Sequence, residues 1–69
     1  MKKEEIGAFF KFRREFIKLK QEDLAVMSGI TSRTIHNIES GEGNPSISTL
    51  EKLAEVLGLE LVVKVKDVN

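Results

Sequence analysis

The sequence predicts a mainly α fold, four short helices followed by one C-terminal β-strand, and three observations predict it. Apolar residues recur at helical spacing in four segments. Glycines stand where two of those segments should end, Gly29 and Gly58. After Gly58 the apolar period falls to two. At 69 residues the chain makes one domain, small enough that its core is marginal unless packing is efficient or a partner shares it. A hydrophobic content of 41% is that of an ordinary globular chain. The absence of Cys excludes a disulfide scaffold and a Cys-based zinc site, and fits a reducing, cytoplasmic setting. No apolar run approaches a membrane span, and none follows Met1-Lys2-Lys3-Glu4-Glu5 as a signal peptide would require.

Ile6, Phe9, Phe10 and Ile17 mark a first helix from Glu4 to Ile17, with Phe12 and Phe16 as a second stripe beside them. All four Phe are expected in the core or in interface packing. Gln21–Ser28 reads as a second helix, with Glu22 and Asp23 in the first turn where they complement the helix dipole. Thr31 or Ser32 offers an N-cap to a third, running to Glu39 with Ile35 and Ile38 inward. Ser40 to Ser46 is a loop by composition. Ser48-Thr49-Leu50-Glu51 has the pattern of a capping box, and Leu50, Leu53, Ala54 and Leu57 follow as a fourth helix closed by Gly58.

Beyond it, Leu59, Leu61, Val63 and Val65 alternate with Glu60, Val62, Lys64 and Lys66. A strand without a second strand in the chain leaves its backbone groups unpaired, so it calls for a partner. The cheapest is the same strand of another copy, antiparallel across a two-fold axis, with Glu60 opposite Lys64 or Lys66 of the second chain. The expected division is a helical domain over residues 1–58, a dimerisation strand over 59–66 (Leu59, Leu61, Val62, Val63 and Val65 at the interface) and a tail over 67–69.

The 11 basic and 11 acidic side chains cancel overall, which speaks mildly against a nucleic-acid ligand. They are distributed unevenly. Residues 1–20 hold seven basic and three acidic side chains, a net +4, and residues 21–60 hold two and seven, a net −5. A chain polarised in this way can dock on phosphates with its basic side.

The second and third helices, joined by a turn at Gly29, meet the requirements of a helix-turn-helix unit whose second helix enters a DNA major groove. Ala25 is small where the helices cross, and Gly29 tolerates positive φ. Leu24, Ile30, Ile35 and Ile38 attach the second helix of the unit to the core. Its outward face offers Ser32, Arg33, Thr34, His36 and Asn37. Arg33 has the reach and fork for a guanine edge or a phosphate, and Asn37, one turn on, for adenine. Lys20, Gln21 and Thr31, beside free helix-start amides, suit phosphate oxygens.

Gln21 to Ala25, Ser28-Gly29-Ile30-Thr31, Ile38-Glu39-Ser40-Gly41, Asn44-Pro45-Ser46 and Thr49 to Ala54 together resemble the Cro/C1-type (XRE) helix-turn-helix regulators, over residues 6–58. Leu57 to Val63 resembles the HipB-like antitoxin branch, in which a C-terminal strand replaces the fifth helix of phage repressors. The resemblance implies a lambda-repressor-like domain, with Ser32, Arg33 and Asn37 on base edges and Thr31, Asn44 and Ser46 near the DNA backbone. It implies that Gln21 holds a phosphate while bracing the recognition helix, and that Arg14 and Glu39 form a structural salt bridge. The partners it implies are double-stranded DNA with a palindromic operator, a second copy of the chain and, in the antitoxin branch, a HipA-like kinase toxin. Two features depart from the family, Lys18 where Gly is usual and Lys20 where a capping Ser, Thr or Asn is usual.

One His, no Cys or Tyr, and no Gly-rich loop between strand and helix point away from an enzyme. His36 and Glu39 share a helix face but fall short of a metal site, and no cofactor is expected. The expected function is a sequence-specific, autoregulatory DNA-binding repressor. The alternatives are a stand-alone phage-type repressor without a toxin partner and a protein-interaction module that has lost DNA binding.

Overall fold

A computed structural model describes residues 2–67, and four helices lie among the described residues: α1 (Lys3–Phe16), α2 (Gln21–Ser28), α3 (Ser32–Glu39) and α4 (Ile47–Leu57). None of them is long and apolar enough to cross a membrane. Of the tail expected over residues 67–69, the last two lie outside the described residues. α1 packs on α3 and α4, and α2 packs on the same two helices. Phe10, Leu24, Ile35, Ile38, Leu53, Ala54 and Leu57 meet at the centre, so every helix contributes to one core.

The helix ends follow from cap chemistry. Thr31 caps α3, its Oγ1 accepting from the Thr34 N–H at 3.2 Å. Gly29, at φ +75, closes α2 in a left-handed conformation that lets the chain turn at once into α3. α4 begins two residues before the expected Ser48: Ser46 is its cap, accepting from the Thr49 N–H at 3.1 Å. Both serines have the right chemistry, but Pro45 fixes an extended approach that brings Ser46 into the cap position first.

α1 is capped at Ile17, and the turn after it passes through Lys18 at φ +64, the one non-glycine residue with positive φ among the described residues. An L-residue there costs about 1 kcal/mol relative to glycine. Lys20 precedes α2 without a side-chain cap, so only the reciprocal half of a capping box forms, Asp23 Oδ2 accepting from the Lys20 N–H at 2.9 Å.

One approach is closer than side chains would allow. Gly7 is buried in α1, and a Cβ there would overlap the carbonyl oxygen of Ile38. α1 and the last turn of α3 therefore meet backbone to backbone, and a residue with no side chain is required.

The structure narrows one expectation, that the four Phe lie in the core or at an interface, and corrects a second. Of the four Phe only Phe10 lies in the core, while Phe9, Phe12 and Phe16 are exposed on a separate stripe of α1. Phe12 and Phe16 stack with ring centroids 6.4 Å apart, and the Arg13 guanidinium lies 5.6 Å from the centroid of Phe16. The packing direction of α1 is fixed by Gly7, Phe10 and Arg14, and it turns the second stripe outward. Nor is there a strand over residues 59–66 among the described residues. A strand exists only by pairing, and four helices present no sheet edge to pair with. Leu59 still packs against the core, and the Leu59 N–H donates to the Ala54 carbonyl at 2.9 Å. Val63 and Val65, 95% and 94% exposed, touch almost nothing.

Candidate nucleic-acid interface

The polar face of the molecule is built on a buried ion pair. Arg14, near the end of α1, and Glu39, the last residue of α3, lie 25 residues apart in sequence. Their side chains are only 9% and 4% exposed. The guanidinium grips the carboxylate with two parallel hydrogen bonds, Nε to Oε2 at 2.7 Å and Nη2 to Oε1 at 2.9 Å. Its remaining arm, Nη1, donates to the Leu19 carbonyl at 2.6 Å and so fastens the strained turn around Lys18. Gln21 Nε2 completes the set, donating to Glu39 Oε1 at 3.0 Å. The guanidinium and the carboxylate between them thus tie α1, the turn, α2 and α3 together. The hydrogen bond from Arg14 to Glu39, against the opposing cost of burial, raises the guanidinium pKa above its already high ordinary value. Among the described residues no buried side-chain nitrogen or oxygen lacks a partner.

Above this network lies an open cleft of about 520 Å³, lined by Arg14, Lys20, Gln21, Glu22, Ser32, Arg33 and His36. Lys20, Ser32, Arg33 and His36 are exposed, and Gln21 is half-buried because its amide is engaged below. The cleft therefore brings the start of α2 beside the outward face of α3. Thr34 and Asn37 on α3 are half-buried and stand outside the cleft lining.

Thr31 and Ser46 are exposed, but each has its hydroxyl occupied. Each accepts from an amide and donates onward, Thr31 to Thr34 Oγ1 and Ser46 to Thr49 Oγ1, both at 3.0 Å. Asn44 is exposed in the loop between α3 and α4, away from the cleft lining. That loop is anchored by the Glu42 N–H donating to the Asn37 carbonyl at 2.8 Å, and by Lys3 Nζ donating to the Gly43 carbonyl at 3.3 Å.

Sequence reasoning missed three contributors. The Leu19 carbonyl carries no signal in its side chain. Glu22 was taken only as a helix-start acid, yet it lines the cleft. Arg13 is the third: its Nε donates to the Leu57 carbonyl at 2.8 Å and closes the end of α4. Arginines at the end of a helix are a recognisable source of such bonds; the identity of the acceptor is a matter of tertiary packing.

The comparison with protein families matches the helix-turn-helix family over residues 11–63. Two relatives are uncharacterised HTH-type transcriptional regulators. One, from Methanocaldococcus jannaschii, is 38% identical over 58 residues, covering 84% of this chain and 82% of its own. The other, from Sinorhizobium fredii, is 36% identical over 57 residues, covering 83% and 74%. The ImmF control region 10 kDa protein of Bacillus phage phi105 is 32% identical over 65 residues, covering 93% and 72%. Among solved structures, the restriction-modification controller protein C.AhdI from Aeromonas hydrophila superposes with a TM-score of 0.80 and 31% identity, over 84% of this chain and 88% of that one.

Proposed function

The chain belongs to the helix-turn-helix family of DNA-binding transcriptional regulators, and from that premise we propose that it is a homodimeric, sequence-specific repressor of its own gene. The observation that carries this reading is the cleft in which Lys20 and Gln21 stand beside Ser32, Arg33 and His36, with Gln21 braced on the Arg14–Glu39 pair. α3 is the recognition helix. Ser32, Arg33 and Asn37 read base edges, with Thr34 and His36 against the groove wall. Lys20, Gln21, Thr31, Asn44 and Ser46 hold phosphates and fix the register of docking. The free Lys20 side chain supports such a grip. The capping of Thr31 and Ser46 limits these two to what their hydroxyl lone pairs still accommodate, so their backbone amides carry more of the contact.

The second copy pairs through residues 59–66. Leu59, Leu61, Val62, Val63 and Val65 supply the contact, and Glu60 meets Lys64 or Lys66 of the partner. The near-complete exposure of Val63 and Val65 supports this pairing, because β-branched side chains in water stabilise nothing. Two recognition helices would then address half-sites of a palindrome about 34 Å apart. Two of the relatives named above are regulators and the superposed structure is a controller protein, so the antitoxin role with a HipA-like toxin draws no support from them.

Gel-shift titration of DNA from upstream of the gene tests the reading. Arg33→Ala is expected to lose roughly tenfold to a hundredfold in affinity for that DNA and much less for unrelated duplex. Equal binding by parent and variant across all sequences removes α3 from base readout.

A further inference from the structure

We infer that Lys18 is an additional phosphate-binding residue, held in a conformation that costs stability so that its charge lies beside the DNA backbone; this rests on the DNA-binding reading above. Lys18 is the one non-glycine at positive φ among the described residues, and glycine would take that conformation without strain. Backbone strain of this kind persists where the surroundings impose it, and an observed outlier warrants a functional hypothesis. The surroundings do impose it: Arg14 Nη1 holds the Leu19 carbonyl at 2.6 Å, and the Lys18 N–H donates to the Glu15 carbonyl at 3.0 Å.

The side chain has no structural employment. Lys18 is exposed and makes no ion pair among the described residues. Complementing the α1 dipole does not require it, since Arg13 and Arg14 already occupy the last turn. Lys20, two residues on, lines the cleft; Lys18 stands outside that lining, and its four-carbon stem with a mobile ammonium is what would carry its charge to a phosphate strand passing Lys20. A like charge so near is unfavourable in the free protein and becomes favourable only opposite an anion.

The test compares the parent with Lys18→Gly and Lys18→Arg, measuring thermal melting and DNA affinity against salt concentration. Upstream DNA and an unrelated duplex serve as probes. Lys18→Gly is expected to melt higher yet bind both DNAs severalfold more weakly. Its log K against log salt slope should be shallower by about 0.9 per protomer. Lys18→Arg is expected to retain the parental slope. Because the glycine variant is the more stable protein, its weaker binding cannot come from unfolding. An unchanged slope in Lys18→Gly overturns the role of Lys18 and leaves the recognition helix standing. Failure of the parent to bind either DNA overturns both.

Discussion

The cleft side of the molecule and its C-terminal side are stabilised by opposite means. Around the cleft, Arg14 of α1, the Leu19 carbonyl of the turn, Gln21 of α2 and Glu39 of α3 form one hydrogen-bonded set that is satisfied inside one chain. On the other side Phe9, Ile47 and Leu61 to Val63 line an apolar groove of about 470 Å³, while Phe12, Phe16 and Val65 are exposed nearby in sequence. The first side is complete as it stands, so its geometry is available to a ligand without rearrangement. The second leaves in water the kind of surface that folding normally removes. A chain of 69 residues that needs every apolar contact is expected to recover that area by association.

The contrast can be broken most forcefully at Glu39. Glu39→Ala leaves the Arg14 guanidinium buried without its counter-ion and releases Gln21, and is expected to cost about 4 kcal/mol in chemical denaturation. A loss below about 1 kcal/mol would mean that the cleft is not held by this pair. Gly7→Ala acts on the same side through sterics. Its methyl group must push the Ile38 carbonyl away, at about 3 kcal/mol and with loss of DNA binding as α3 shifts. The smallest effect on folding is expected at the other side. Val63→Glu should change the stability of the helical body by less than about 0.5 kcal/mol, while sedimentation velocity shows the dimer replaced by monomer. A Val63→Glu variant that remains dimeric would move the interface elsewhere, with the stripe of Phe9, Phe12 and Phe16 as the next surface to test.

The same division separates what sequence reasoning reached from what it missed. The bounds of α2 and α3 follow from local chemistry, a dipole-matched first turn, Gly29 and a capping Thr31, and local chemistry can be read in order along the chain. The start of α4 was misjudged by two residues because Ser46 and Ser48 satisfy the same capping rule and only the approach from Pro45 separates them. Periodicity identifies two apolar faces on α1 without ranking them, so it leaves open which Phe residues lie in the core and which are left for an interface. Rank is set by Gly7, whose importance comes from an α3 carbonyl 31 residues away. The strand at 59–66 was expected from an alternation that is present, but a strand needs a second backbone, and the described residues of one chain include no other strand. Of the site, the exposed residues of α3 were readable from helical spacing, whereas the tie between Arg14 and Glu39 came only with the family resemblance, since no periodicity links residues that far apart.

The seating of Ile38 on Gly7 also bears on how accurately a two-headed reader can be built. Rotamers are adjustable, and each one interposed between two parts adds its own error to their separation. Where peptide groups abut directly, the gap is fixed by atomic radii, as a machined shoulder fixes a bearing. α1 carries that shoulder on one face and the uncovered aromatic stripe on the other. If the stripe and the C-terminal segment meet a second copy, the chain of tolerances from one recognition helix to the next runs through very few flexible joints.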